Sequence, residues 1–130
     1  MERLSCNISV PISLGELIDK ITILQIKSQK LKNEALINVK KELKALEVVV
    51  TELELNIDPS LIQSLLSTNR KLWNIEDKIR DQEKMKDFGE VFIHLARSVY
   101  RENDKRAEIK REINVTYGSE LIEEKSYQNY

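Results

Sequence analysis

Residues 33–53 read NEALINVKKELKALEVVVTEL, and within them Leu36, Val39, Leu43, Leu46, Val50 and Leu53 recur at alternating spacings of three and four. That is the a/d seam of an amphipathic helix, about two and a half heptads long, whereas a strand would show a period of two. The rest of the chain suits the same choice. Charged residues make up 33% and aromatics 5%, with three Gly and two Pro. Such a composition supplies few turns and favours long helices with Leu and Ile cores. An all-α fold is expected, and 130 residues are enough for one core and too few for two.

Upstream of the seam, Cys6, Ile8, Val10 and Ile12 alternate with polar Asn7 and Ser9, which suits a short extended arm over 1–13, and Pro11 confines it to an edge. Ser13-Leu14-Gly15-Glu16 is a capping box, so helix 1 starts at Leu14. Leu14, Leu17, Ile21, Leu24, Ser28 and Leu31 line one face, while Ile18, Ile23 and Ile26 lie off it. A helix apolar on more than one side must be covered on more than one side, either as the central helix or at a subunit interface. Between Leu31 and Leu36 the stripe jumps by five. A tight turn at Lys32-Asn33-Glu34 would fold helices 1 and 2 into an antiparallel hairpin; one bent helix over 14–55 with a stutter is the competing reading.

Downstream, Asp58-Pro59 is an N-cap followed by proline at the first helical position. Ile62, Leu65, Asn69, Leu72, Glu76 and Ile79 then follow one stripe of helix 3. Asp87-Phe88-Gly89-Glu90 supplies a second Asp cap, which opens helix 4, and Gly118 is its natural stop. Helices 3 and 4 come out at about 27 residues each, near 40 Å, and a short join makes them a second hairpin. The expected architecture is a single domain over 1–130, a bundle of two antiparallel helical hairpins with the N-terminal arm and a mobile tail over 119–130.

Composition also excludes function classes. Lys+Arg is 21 against Asp+Glu 22, so no overall field draws the chain to nucleic acid or to an anionic membrane. No stretch approaches the roughly 20 apolar residues of a membrane span. A lone cysteine, Cys6, and a lone histidine, His94, supply no disulfide, zinc set or Cys/His nucleophile pair, which fits a cytoplasmic setting without a metal or cofactor. Glycine-rich phosphate loops are missing.

Two constellations could carry chemistry. On helix 4 the face formed by Phe88, Phe92, Leu95, Ala96 and Val99 continues into Asn103, Arg106 and Lys110, so an apolar stripe turns cationic. Arg106 and Lys110 could meet a carboxylate or phosphate at one end of the bundle; a solvated overhang is the structural alternative. On helix 3, Glu76 sits in mid-stripe, where a carboxylate needs a cation, and Arg97 and Arg80 are within reach. The candidate ligand-binding set is therefore Glu76, Arg97, Tyr100, Asn103, Asp104, Arg106 and Lys110. Glu16 and Asp19, at i and i+3, loosely resemble half of the Mg²⁺ site of all-α nucleotide pyrophosphohydrolases, but capping already accounts for Glu16.

The blocks LGELIDKITIL at 14–24, LWNIEDKIR at 72–80 and LARSVYRENDKRA at 95–107 resemble an uncharacterised family of short helical proteins from bacteria and marine phages. The resemblance spans 9–127 and implies a setting beside glycosyltransferase and surface-polysaccharide genes, with no assigned activity or catalytic residue. The expected function is a non-catalytic helical accessory protein, a homodimer through helices 1 and 2, with a polar patch on helix 4 for a partner or a small anion. A small all-α enzyme acting on an anionic sugar-phosphate or nucleotide is the rival reading.

Overall fold

The computed structural model describes residues 6–130. It contains four helices, α1 (Leu14–Lys30), α2 (Asn33–Glu52), α3 (Pro59–Met85) and α4 (Glu90–Thr116). They hold 73% of the described residues, among which there is no strand.

Local chemistry sets each boundary. Ser13 Oγ accepts from the Glu16 amide at 3.1 Å and starts α1. The helix ends where Leu31 turns extended and its amide closes the last turn on the Lys27 carbonyl at 2.8 Å. Asn33 then takes φ 58°, a left-handed value asparagine tolerates better than most residues. The chain reverses there, and Leu43, Leu46 and Val50 of α2 pack against the cluster that holds Leu17, Ile18 and Ile21 of α1. The hairpin forms, and the single bent helix does not. Asp58 caps α3 by accepting from the Ser60 amide at 2.9 Å, with Pro59 at the first position. Lys86, at φ 55°, ends it.

α4 begins later than its sequence suggests. Gly89 is the N-cap, and the Asp87 carboxylate accepts from the Gly89 amide at 3.1 Å instead of capping a helix. Phe88 therefore precedes the helix and is half exposed. The two long helices nonetheless reach 27 residues each, which makes α3 and α4 a matched pair.

α1 is the centre. It packs against α2, α3 and α4, while α2 touches α1 alone. This resolves the two-sided apolar character of α1: its second face is covered within the chain. The core joins Leu17, Ile18 and Ile21 to Ile57, Leu65 and Ile113. α1 runs 17 residues against 27 for α3 and α4, about 25 Å against 40 Å, so the far end of the α3–α4 hairpin lacks its cover. The α3 stripe is buried at Leu65, Asn69 and Leu72 but opens at Glu76. Leu53 lies just past the end of α2 and is exposed, so the seam loses its last member.

Residues 6–13 carry no helix or strand, with Ile8 and Val10 exposed; the part of the expected arm in 1–5 lies outside the described residues. Residues 119–130 are also without regular structure. They lie back along α4, where Glu123, Glu124 and Tyr130 each meet an α4 side chain.

Candidate functional site

α4 presents Arg106, Lys110 and Asn114 at successive i, i+4 steps, one ladder on one face. α1 runs antiparallel to it and offers a partner at each rung. Arg106 Nε donates to Asp19 Oδ1 at 2.9 Å, and its Nη2 donates to Asp19 Oδ2. Lys110 Nζ donates to Glu16 Oε2 at 2.7 Å. The Gly15 amide donates to Asn114 Oδ1 at 2.7 Å.

The approach is close because Gly15 has no side chain. A Cβ at that position would lie 2.4 Å from the Lys110 carbonyl oxygen, so only glycine lets α1 and α4 meet this tightly.

Asp19 is fully buried, and Asn69 from α3 adds a third element to its shell. The Asn69 amide donates to Asp19 Oδ1 and to Thr22 Oγ1, each at 2.9 Å. Arg106 and Asn69 thus supply the donors that let an ionised carboxylate exist in the core. Hydrogen bonding to Asp19 raises the Arg106 guanidinium above its already high ordinary value, against the opposing effect of burial.

Lys110, 6% exposed, takes part in both the seam and the surface beside it. Burial pushes its ammonium down, but bonds to Glu16 and to Glu123 of the tail outweigh this and leave it raised. Glu123 Oε2 accepts from Lys110 Nζ at 2.9 Å, and that bond holds the Glu123 carboxyl below its ordinary value. Around this contact the tail and α4 enclose a cleft of about 270 Å³, lined by Lys110, Arg111, Asn114, Glu123 and Tyr127 among others. Asn114 is 1% exposed, and its Nδ2 has no hydrogen-bond partner among the described residues. Its orientation is fixed, because the Gly15 amide needs the oxygen.

Of the residues singled out from the sequence, Arg106 and Lys110 stand in this seam, and Asn103 accepts from Arg106 at 3.5 Å. Tyr100 and Asp104 lie beside the tail, where each meets Tyr130. Glu76 and Arg97 do not join them. Glu76 is exposed and, among the described residues, pairs only with Arg80, at 4.0 Å with both side chains solvated, so the mid-stripe pairing with α4 does not form. Arg97 is exposed on α4. The carboxylate buried in the helical stripe is Asp19, not Glu76.

Thr22, Asn114 and Glu123 had no signal of that strength. Asn114 extends the Arg106–Lys110 spacing by one more step of four and could have been found that way. Glu123 sits in a stretch without periodicity. Among the described residues no group of His, Cys, Asp and Glu could hold a metal ion, and the Glu16/Asp19 pair is engaged by Lys110 and Arg106. No described helix is long and apolar enough to cross a membrane. No curated protein and no solved structure was found to match the chain. The model of a family of unknown function, DUF6165, matches residues 8–130, and the chain belongs to that family.

Proposed function

We propose that this is a non-catalytic helical accessory protein that holds an anionic group, a phosphate or carboxylate, at the Lys110 end of α4 under the tail. One observation carries the reading: Lys110, nearly buried, already donates to a carboxylate from a segment outside the helical core, that of Glu123. Asn114 Nδ2 supports it, since a buried donor without an acceptor is costly and an anion's oxygen would satisfy it. Without Glu123, the seam balances Arg106 and Lys110 against Asp19 and Glu16, so an incoming anion meets no surplus of negative charge. The same balance ties up the two seam carboxylates, Asp19 and Glu16, so neither is free to act as a base. Phosphate-bearing sugars and nucleotides belong to the ligand class, in keeping with the polysaccharide-gene setting the resemblance implies.

Calorimetric titration with inorganic phosphate and with a sugar nucleotide tests this. Saturable binding is expected, and Glu123→Gln should strengthen it up to about fivefold, the worth of a surface ion pair. Absence of binding to both proteins would refute it.

Self-association is the second part of the proposal. With α1 covered by its own chain, the surface for it moves to the outer side of α2, where Ile37 and Val48 are exposed. Sedimentation equilibrium should show a dimer, and a monomer at high micromolar concentration would contradict it.

A further inference from the structure

The last four residues of the chain build a second cleft beside the first. Tyr130 folds back onto Tyr100 of α4, ring centroids 4.9 Å apart and planes at 71°, so two aromatic walls meet nearly at right angles. Tyr130 Oη donates to Asp104 Oδ2, which fixes the corner. Tyr127 supplies a third ring, and Val99 and Asn103 complete a cleft of about 500 Å³. Three tyrosine rings and the Asp104 carboxylate are the aromatic and anionic part of this lining, and the face of an aromatic ring is the negative part of its quadrupole.

The cleft already holds a cation. Lys125 Nζ lies 5.8 Å from the centroid of the Tyr127 ring, inside the range of a cation–π contact of about 6 Å. That ammonium is tied at 3.2 Å to Glu123, the same carboxylate that occupies Lys110. The charges inside the cleft are thus one carboxylate, Asp104, and one ammonium, Lys125. If Lys125 moves out, the cleft is left with a net negative charge and three rings.

We infer that this tyrosine-lined cleft binds an organic ammonium cation of the trimethylammonium class, with Tyr100, Tyr127 and Tyr130 as its walls and Asp104 as its counter-charge, in the place of Lys125. A quaternary ammonium is weakly hydrated and makes no hydrogen bonds, so it enters such a cage at less desolvation cost than a lysine. The site is distinct from the anion position at Lys110: it takes the opposite charge and lies across the shared wall of Asp104, Lys125 and Tyr127.

Choline chloride titrated into the full chain, followed by the ring resonances of the tyrosines, tests this. The isosteric neutral alcohol 3,3-dimethylbutan-1-ol and glucose serve as controls. Saturable shifts of Tyr100, Tyr127 and Tyr130 with choline alone are expected. Tyr127→Leu should weaken binding by about threefold to thirtyfold, the range for one cation–π contact. Lys125→Ala, which removes the internal cation and no wall, should strengthen it. Equal binding of the neutral alcohol would make the cleft merely apolar, binding of glucose would make it a sugar platform, and no saturation with choline in either the parent chain or Lys125→Ala would leave no cage. Each of these outcomes overturns the inference, and none bears on phosphate binding at Lys110.

Discussion

Asp19→Ala is the substitution the α1–α4 seam answers most sharply. In the folded chain this carboxylate is 0% exposed and accepts from Arg106 Nε, Arg106 Nη2 and Asn69 Nδ2. Removing it takes the counter-charge from the Arg106 guanidinium and one of two acceptors from the Asn69 amide, and deleting one member of a buried ion pair costs about 3 to 5 kcal/mol. Arg106 keeps 29% of its side-chain exposure, so water can reach part of it, and the lower end applies, about 3 kcal/mol. Asp19→Asn keeps one acceptor and the shape, and should lose about half as much, the difference between a charged and a neutral hydrogen-bond partner. Urea denaturation with the midpoint and slope fitted together is the assay, and a fall in midpoint at constant slope is the expected form. In the double variant Asp19→Ala/Arg106→Leu, part of the loss should return, because the orphaned charge goes with it. A loss under about 1 kcal/mol for Asp19→Ala would place the pair in the class of solvated ion pairs and refute the reasoning.

Gly15→Ala should destabilise by about 1 to 3 kcal/mol through the contact with the Lys110 carbonyl, although helix propensity alone would stabilise by about 1 kcal/mol; a thermal melt showing the variant equal to or above the parent would remove the close-approach argument. Glu76→Ala should cost below about 1 kcal/mol, because its partner Arg80 is solvated, and a larger loss in the same melts would restore a buried pairing on α3. Glu123 has a lowered carboxyl, so its contribution is complete above the ordinary glutamate value of about 4.3 and is lost as pH falls through the lower folded value. Cleavage of residues 119–130 by an acid-active protease should therefore accelerate only below that ordinary value, and a flat profile would show that Glu123 does not hold the tail.

Much of the fold was legible because periodicity and caps are local. Ser13, Asp58-Pro59 and the phase jump after Leu31 placed three helix starts, and the spacing of Leu36 to Val50 identified α2. Asp87 misled because an aspartate can bond an amide two residues on as readily as it caps a helix. For the site, the cationic turn of the α4 stripe at Arg106 and Lys110 was visible, but its partners were not. Asp19 lies seven residues before Ile26 and four before Ile23, on the second apolar side of α1, and only the packing of α4 against that side makes it the buried acid. Glu76 looked equivalent by the same spacing. What separates them is tertiary: α4 brings Arg106 onto Asp19, whereas Glu76 faces solvent with Arg80, and no local pattern on α3 records which part of its stripe another helix covers. Glu123, Tyr127 and Tyr130 are held by single polar and aromatic contacts, which leave no periodic trace.

The side-chain amide of Asn114 reports the anion site most directly, since its Nδ2 has no partner among the described residues while its oxygen stays bonded to the Gly15 amide. In a nitrogen–proton correlation spectrum of Glu123→Gln titrated with inorganic phosphate, the Asn114 side-chain resonances should shift saturably and to low field, with the Gly15 amide nearly unmoved. Resonances of Asn114 that stay fixed while phosphate reaches tens of millimolar, about the weakest range in which a specific site would still register, would contradict an anion at Lys110.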